Sequence, residues 1–244
     1  MAEMRSENIF HDLFARHPVL RPCGKDITGA FNLLLACCRR RGTVLACGNG
    51  GSSADADHIV AELMKGFMLL RPLPEGKRRL LEHPVPISGK IPAGGPGPAA
   101  GTEDAAGTED GRYLAEILQE ALPAISLGAH GALISAFAND RAADAVFAQQ
   151  VYGYGRPGDL LVCFSTSGNS RNVVLAARTA RALGLPVVGL TGRDGGALAP
   201  LCDAAVMVPE REAYKVQELH LPVYHALAAA VEAELFSGDQ SPAG

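Results

Sequence analysis

The chain has 244 residues and a net charge of −4, with 48% apolar and 20% charged residues, enough for a sizeable core in one large α/β domain or two small ones without staples. That mild acidity argues against a non-specific nucleic-acid binder, and the lack of tryptophan with only 5% aromatic residues argues against base-stacking platforms. No apolar run approaches the ~18 residues of a membrane span, and Met1 to Arg16 mixes charges of both signs without an apolar h-region, so a cytoplasmic protein is expected.

In chain order, residues 5–40 read as helix, interrupted near Pro18 and Pro22. Ile27, Phe31, Leu34, Leu35 and Cys38 recur every three to four residues, and Gly42 is expected to stop the run. Thr43 to Cys47 is a short apolar run of the kind found in buried parallel strands, ending in Gly48-Asn49-Gly50-Gly51-Ser52-Ser53, with a helix expected from about Ala54 to Met68. Residues 75–112 break the pattern. Gly89 to Gly111 is dominated by Gly, Pro, Ala, Thr and acidic residues and holds the copied tetrapeptide Gly101-Thr102-Glu103-Asp104 and Gly107-Thr108-Glu109-Asp110. Such a stretch buries too little apolar surface to order itself, so a disordered or mobile insert is expected.

Order resumes with a helix over Tyr113 to Ala121, a strand over Pro123 to Leu127 and an Ala-rich helical stretch over 130–152 interrupted at Asn139-Asp140. Strands then follow at Asp159 to Phe164, Pro186 to Leu190 and Ala204 to Val208. Helices are expected at Asn169 to Leu183, Gly195 to Leu201 and, closing the chain, Val216 to Phe236. This alternation predicts an α/β fold with a parallel sheet covered on both faces, and ligands bind beyond the carboxyl ends of such strands. The six cysteines form no CxxC pair and are expected to be reduced core residues.

Four features could carry chemistry. Ser165-Thr166-Ser167-Gly168-Asn169-Ser170 lies between a strand and a helix. Glycine lets the backbone approach a ligand, and helix-terminal amides favour an anion. A helix cap needs one hydroxyl, and here there are four in six residues. Without a Walker lysine or GxGxxG spacing, a compact phosphoester fits better than a nucleotide. The Gly48–Ser53 loop could line the same crevice, or be only a tight turn. His58 and Glu62 stand at i,i+4 on one helix face, suiting a divalent metal, an acid/base pair or merely an exposed polar pair. Gln217, His220 and His225 share the last helix, with Gln217 and His225 projecting within roughly 80° of each other. Pro222 in their midst is expected to kink it.

Together, Gly48-Asn49-Gly50-Gly51-Ser52, Asn139-Asp140, the serine loop, Leu190-Thr191-Gly192, His58-x3-Glu62 and Gln217-Glu218-x-His220 with His225 resemble the sugar isomerase (SIS) domain, and within it the phosphoheptose isomerase family. The resemblance runs from about residue 25 to 236 except for the insert. It implies a single SIS domain over 1–244: a five-stranded parallel sheet with flavodoxin-like, doubly wound helices, in a homotetramer with active sites between subunits and an N-terminal helix packing in the oligomer. It implies zinc on His58, Glu62, Gln217 and His225. Substrate contacts are implied for Asn49, Gly50, Gly51, Glu62, Asn139, Asp140, Ser165, Thr166, Ser167, Ser170 and Gln217.

The reaction so implied interconverts sedoheptulose 7-phosphate and D-glycero-D-manno-heptose 7-phosphate through an enediol, with Glu62 as base and His225 as its acid/base partner. Two positions depart from close relatives. Gly66 stands where they carry Arg, with Lys65 beside it, and Tyr214 where they often carry Asp, with Lys215 next; either lysine could replace the missing arginine. The competing readings are an isomerase of pentose or hexose phosphates and a non-catalytic SIS regulator resembling DiaA, which binds the initiator DnaA.

Overall fold

The computed structural model describes residues 6–84 and 107–237. Its backbone divides into two compact units, one formed by residues 1–69 with 121–244 and the other by residues 70–120.

The larger unit is built on five strands: β1 (Val44–Cys47), β2 (Ala124–Ser126), β3 (Leu160–Ser165), β4 (Val187–Thr191) and β5 (Ala204–Met207). All pairs are parallel, in the order β2-β1-β3-β4-β5. This is the flavodoxin-like order expected from the resemblance, and its winding reverses between β1 and β3. Because Cys47 pairs with Cys163 across that boundary, the loops after β1 and β3 emerge side by side. Strands β1, β3 and β4 are buried throughout, as parallel strands covered on both faces must be.

Side chains alternate between two cores. Val44, Ala46, Leu160, Val162 and Phe164 face a layer of α1 (Ser6–Arg16), α2 (Gly24–Arg39), α3 (Gly51–Met64) and α9, the long helix Ala213–Phe236. Leu45, Cys47, Leu161 and Cys163 face α7 (Val146–Tyr154) and α8 (Arg171–Ala182). The preceding stretch is α6 (Gly131–Phe137), then a wide π turn over Ala138–Ala142 that contains Asn139 and Asp140. All six cysteines are free.

Several boundaries differ from expectation for identifiable reasons. The N-terminal helix is two helices with a 3-10 stretch, Pro18–Cys23, between them. Its stop is made by Arg41 at φ 57°; Gly42 is required instead because a Cβ there would meet the Gly158 carbonyl oxygen at 2.2 Å. Helix α3 begins at Gly51, since the amides of Ser53 and Ala54 already bond to Gly50. It ends at Met64 because the amides of Phe67, Met68 and Leu69 are captured by the fully buried carboxylate of Glu232 at 2.8, 2.6 and 3.0 Å. The helix expected over Gly195 to Leu201 is only a 3-10 turn, Ala199–Leu201, since Gly195 and Gly196 adopt φ of 66° and 55°, which a right-handed helix excludes.

The smaller unit corrects the reading of 75–112 as disordered at both margins. It contains α4 (Glu75–Glu82) and α5 (Glu109–Ile117), which pack on each other. Thr108 caps α5 by accepting the Gly111 amide at 2.9 Å, so this helix starts four residues before the expected Tyr113 and ends at Ile117 instead of Ala121. The interior of the expected insert, with its first copied tetrapeptide at 101–104, lies outside the described residues.

Candidate active site

The crevice beyond β1 and β3 is lined by two loops that are tied together. Asn49 donates its amide to Asn172 at 2.9 Å and accepts the Asn172 amide in return at 2.8 Å. This reciprocal pair joins the start of α3 to the start of α8. Gly50 holds φ 56°, a left-handed turn that favours glycine, and Gly51 packs against the Gln217 amide, whose Nε2 would lie 2.6 Å from a Cβ there.

In the second loop, Ser165 donates to Ser170 at 3.2 Å, and Ser167 Oγ accepts the Asn169 amide at 3.1 Å. No side chain of Ser170 caps α8, so the hydroxyls do not serve as the ordinary helix cap, and the positive end of α8 faces the crevice. Gly168, at φ 65°, has its Cα so close to Gly195 that a Cβ would lie 2.0 Å from that carbonyl oxygen. Thr166 closes the base of the loop by accepting the Gly192 amide through its carbonyl.

Two turns along α3, a second group assembles against α9. His58 Nε2 lies 3.2 Å from Glu62 Oε1 and 3.3 Å from His225 Nε2. One ligand atom each from His58, Glu62 and His225 falls within 4.8 Å of the others, the one such cluster of histidine, cysteine and acidic residues among those described. Two imidazoles and a carboxylate are ligands that zinc favours, and three lone-pair atoms this close are mutually repulsive unless a proton or a cation sits among them. The donor set thus fits a zinc ion. Glu62 is buried and also receives Lys65 Nζ at 2.9 Å. Burial and the neighbouring His58 lower the pKa of His225, against the opposing pull of Glu62.

The other candidate residues each have their own surroundings. The Gln217 amide lies against Gly51, two turns before His225 on α9. Asn139 and Asp140 are exposed and bond to each other at 2.8 Å. His220 is fully buried against Phe164, and burial brings its pKa down to about 4, with a weak opposing pull from the Thr191 backbone; it is a neutral core residue. Of the two lysines, Lys65 reaches Glu62, whereas Lys215 pairs with Glu212. Helix α9 runs unbroken through Pro222. A cavity of about 510 Å³ between α1 and α9 opens onto His225 and is bordered by Phe67, Arg16 and His17.

Sequence reasoning missed Asn172, Glu232, Asp55 and Tyr224. Glu232 was legible as the one acid in the Ala-rich run 226–233, because a charge there must be paired. Asp55 was legible as sharing the face of His58 at i,i+3. Nothing in the sequence distinguishes Tyr224 from a core aromatic.

Comparison with known proteins agrees with this arrangement. The sequence pattern of the SIS domain matches residues 23–92 and 89–192. The phosphoheptose isomerase of Rhodospirillum rubrum is 35% identical over 226 residues, 93% of each chain. That of Chlorobaculum parvum is 34% identical over 231 residues, 94% of this chain and 88% of the other. The solved phosphoheptose isomerase of Neisseria gonorrhoeae superposes with a TM-score of 0.64 at 29% identity, covering 91% of this chain and 94% of that one. The one from Francisella tularensis gives 0.65 at 25%, covering 93% and 98%.

Proposed function

Since the chain belongs to the SIS-domain family and, within it, to the phosphoheptose isomerases, we propose that it interconverts sedoheptulose 7-phosphate and D-glycero-D-manno-heptose 7-phosphate through an enediol. The observation that carries this reading is the meeting of His58, Glu62 and His225 from two helices, on the same α3 whose first residues line the anion-binding crevice.

The serine loop and the amino end of α8 hold the phosphate, with Asn49, Gly50 and Gly51 closing the crevice and Asn139 and Asp140 completing it. Remote binding energy from the phosphate then fixes the reacting carbons. Glu62 removes the proton from C1 of the ketose and returns it at C2, while His225 moves the proton between the two substrate oxygens. Buried Glu62 is shielded from water, and Lys65 orients its second oxygen. His58, Glu62 and His225, with Gln217 as fourth ligand, would hold zinc, which supplies polarisation of the substrate oxygens when bound. We read the chain as one SIS domain interrupted by residues 70–120, acting in the cytoplasm as a homotetramer with sites between subunits. No helix among the described residues is long and apolar enough to cross a membrane. The juxtaposed acid/base pair favours an enzyme over a DiaA-like regulator, which needs none.

Purified protein supplied with zinc is expected to convert sedoheptulose 7-phosphate to an aldoheptose phosphate faster than it converts pentose or hexose ketose phosphates. Absence of heptose turnover overturns the assignment, and preference for a shorter sugar moves it to another phosphosugar isomerase.

A further inference from the structure

Behind the cluster lies a chain of contacts that the reaction does not use. Tyr224 is 1% exposed, and its hydroxyl has two polar neighbours. It lies 3.0 Å from His58 Nδ1 and 3.4 Å from Asp55 Oδ1. Its ring is fixed edge-on against His58, His225 and Phe164, with centroids 5.5, 5.0 and 5.8 Å away. The two nitrogens of His58 therefore have separate surroundings: Nε2 faces Glu62 and His225, and Nδ1 faces only the phenol.

A phenol has one proton to give. Either it goes to His58 Nδ1, leaving Nε2 protonated and unable to ligate, or it goes to Asp55, and the phenol oxygen accepts Nδ1–H. Asp55 decides between the two, because an ionised carboxylate can only accept. The second oxygen of Asp55, Oδ2, is buried with no hydrogen-bond partner. Burying a carboxylate is costly unless it is hydrogen-bonded, and the Tyr224 hydroxyl is the partner that its other oxygen has.

We propose that Asp55 and Tyr224 form a positioning relay in which Asp55 accepts the Tyr224 hydroxyl proton, Tyr224 accepts His58 Nδ1–H, and His58 Nε2 is thereby presented to the metal with its lone pair free. A ligating histidine commonly donates its other N–H to a carboxylate or carbonyl; here a tyrosine is inserted between the two, carried by α9 and spanning Asp55 and His58 on α3. The hydrogen bonds from Asp55 and Tyr224 reach the cluster through His58. The inference rests on the metal-binding reading of the cluster.

The test is metal uptake by metal-free full-length protein, titrated with zinc against a chromophoric chelator. Tyr224→Phe keeps the ring and removes the oxygen, and it is expected to bind zinc about 10- to 100-fold more weakly. Asp55→Asn is expected to weaken binding by the same route, so the double variant binds no more weakly than Tyr224→Phe alone. Saturating cobalt should give a shifted visible spectrum in Tyr224→Phe, a change that altered packing elsewhere in the core would not produce. Melting of the metal-free variant is expected to drop by only about 2–4 °C. If the parent binds zinc and Tyr224→Phe binds it equally well, or if the two substitutions add, the relay is overturned alone. A parent that takes up no zinc overturns the metal reading and the relay with it.

Discussion

The serine loop and the His58–Glu62–His225 cluster are built in opposite ways. The loop is six consecutive residues whose geometry follows from local rules: a buried strand ends, Gly168 turns at φ 65°, and a helix begins without a side-chain cap. The cluster joins residues 167 positions apart, His58 and His225, and exists only because α3 and α9 pack on the same face of the sheet. The difference teaches a division of labour. On the proposed function, phosphate binding belongs to one βα junction and can recur wherever that junction occurs. The proposed acid/base group depends on the whole fold, and on this reading it separates an isomerase from other proteins sharing the junction.

The sharpest way to break that division is to remove the base while keeping its shape. Glu62→Gln is expected to lower kcat about 10²- to 10⁴-fold, the usual contribution of a positioned general base. KM should change little, because the loop proposed to hold the phosphate is untouched. Steady-state kinetics with sedoheptulose 7-phosphate check both numbers. A rise in KM with kcat preserved would mean that Glu62 binds substrate instead of moving its proton.

The reciprocal experiment is Ser167→Ala. Loss of one hydrogen bond to a phosphate is worth roughly 1.5–3 kcal/mol, so KM should rise about 10- to 100-fold with kcat nearly unchanged. The hydroxyl also accepts the Asn169 amide in the free protein, so a melting curve is needed alongside the kinetics. An unaltered KM would take Ser167 out of the phosphate site.

The same contrast explains what could be read from the sequence. The strands and both crevice loops are legible as apolar runs ending in glycine and hydroxyl residues, signals confined to a few neighbours, whereas the strand order came through the family resemblance. His58 and Glu62 were visible as an i,i+4 pair, but whether they face His225 or solvent depends on how α3 meets α9. Their assignment therefore came through family resemblance and not through spacing. Tyr224 and Asp55 were invisible as a pair because the Tyr224 ring packs like any core aromatic, and only its oxygen, 3.0 Å from His58, reveals its use. The margins of the expected insert were misread because composition was judged over nearly forty residues at once. The eight-residue helix Glu75–Glu82 and the Thr108 cap act over one or two turns, and averaging hid them.

The smallest effect falls on the residue that links the cluster to its surroundings. Lys65 Nζ lies 2.9 Å from Glu62 Oε2, but the lysine side chain is 58% exposed while the carboxylate is 10% exposed. Ion pairs with one partner in water contribute about 0.2–1 kcal/mol, and salt screens them. Lys65→Met is therefore expected to change kcat/KM by about five-fold at most, with the difference from the parent shrinking as ionic strength rises from 0.05 to 0.5 M, a range chosen to shorten the Debye length to a few ångströms. Lys215→Met should have no such effect, since Lys215 pairs with Glu212 at the start of α9. A loss as large as that of Glu62→Gln, insensitive to salt, would mean that Lys65 contacts the reacting sugar itself. The ammonium would then belong to the catalytic group, replacing the arginine absent at Gly66, and the cluster would extend one turn further along the chain than the two helices place it.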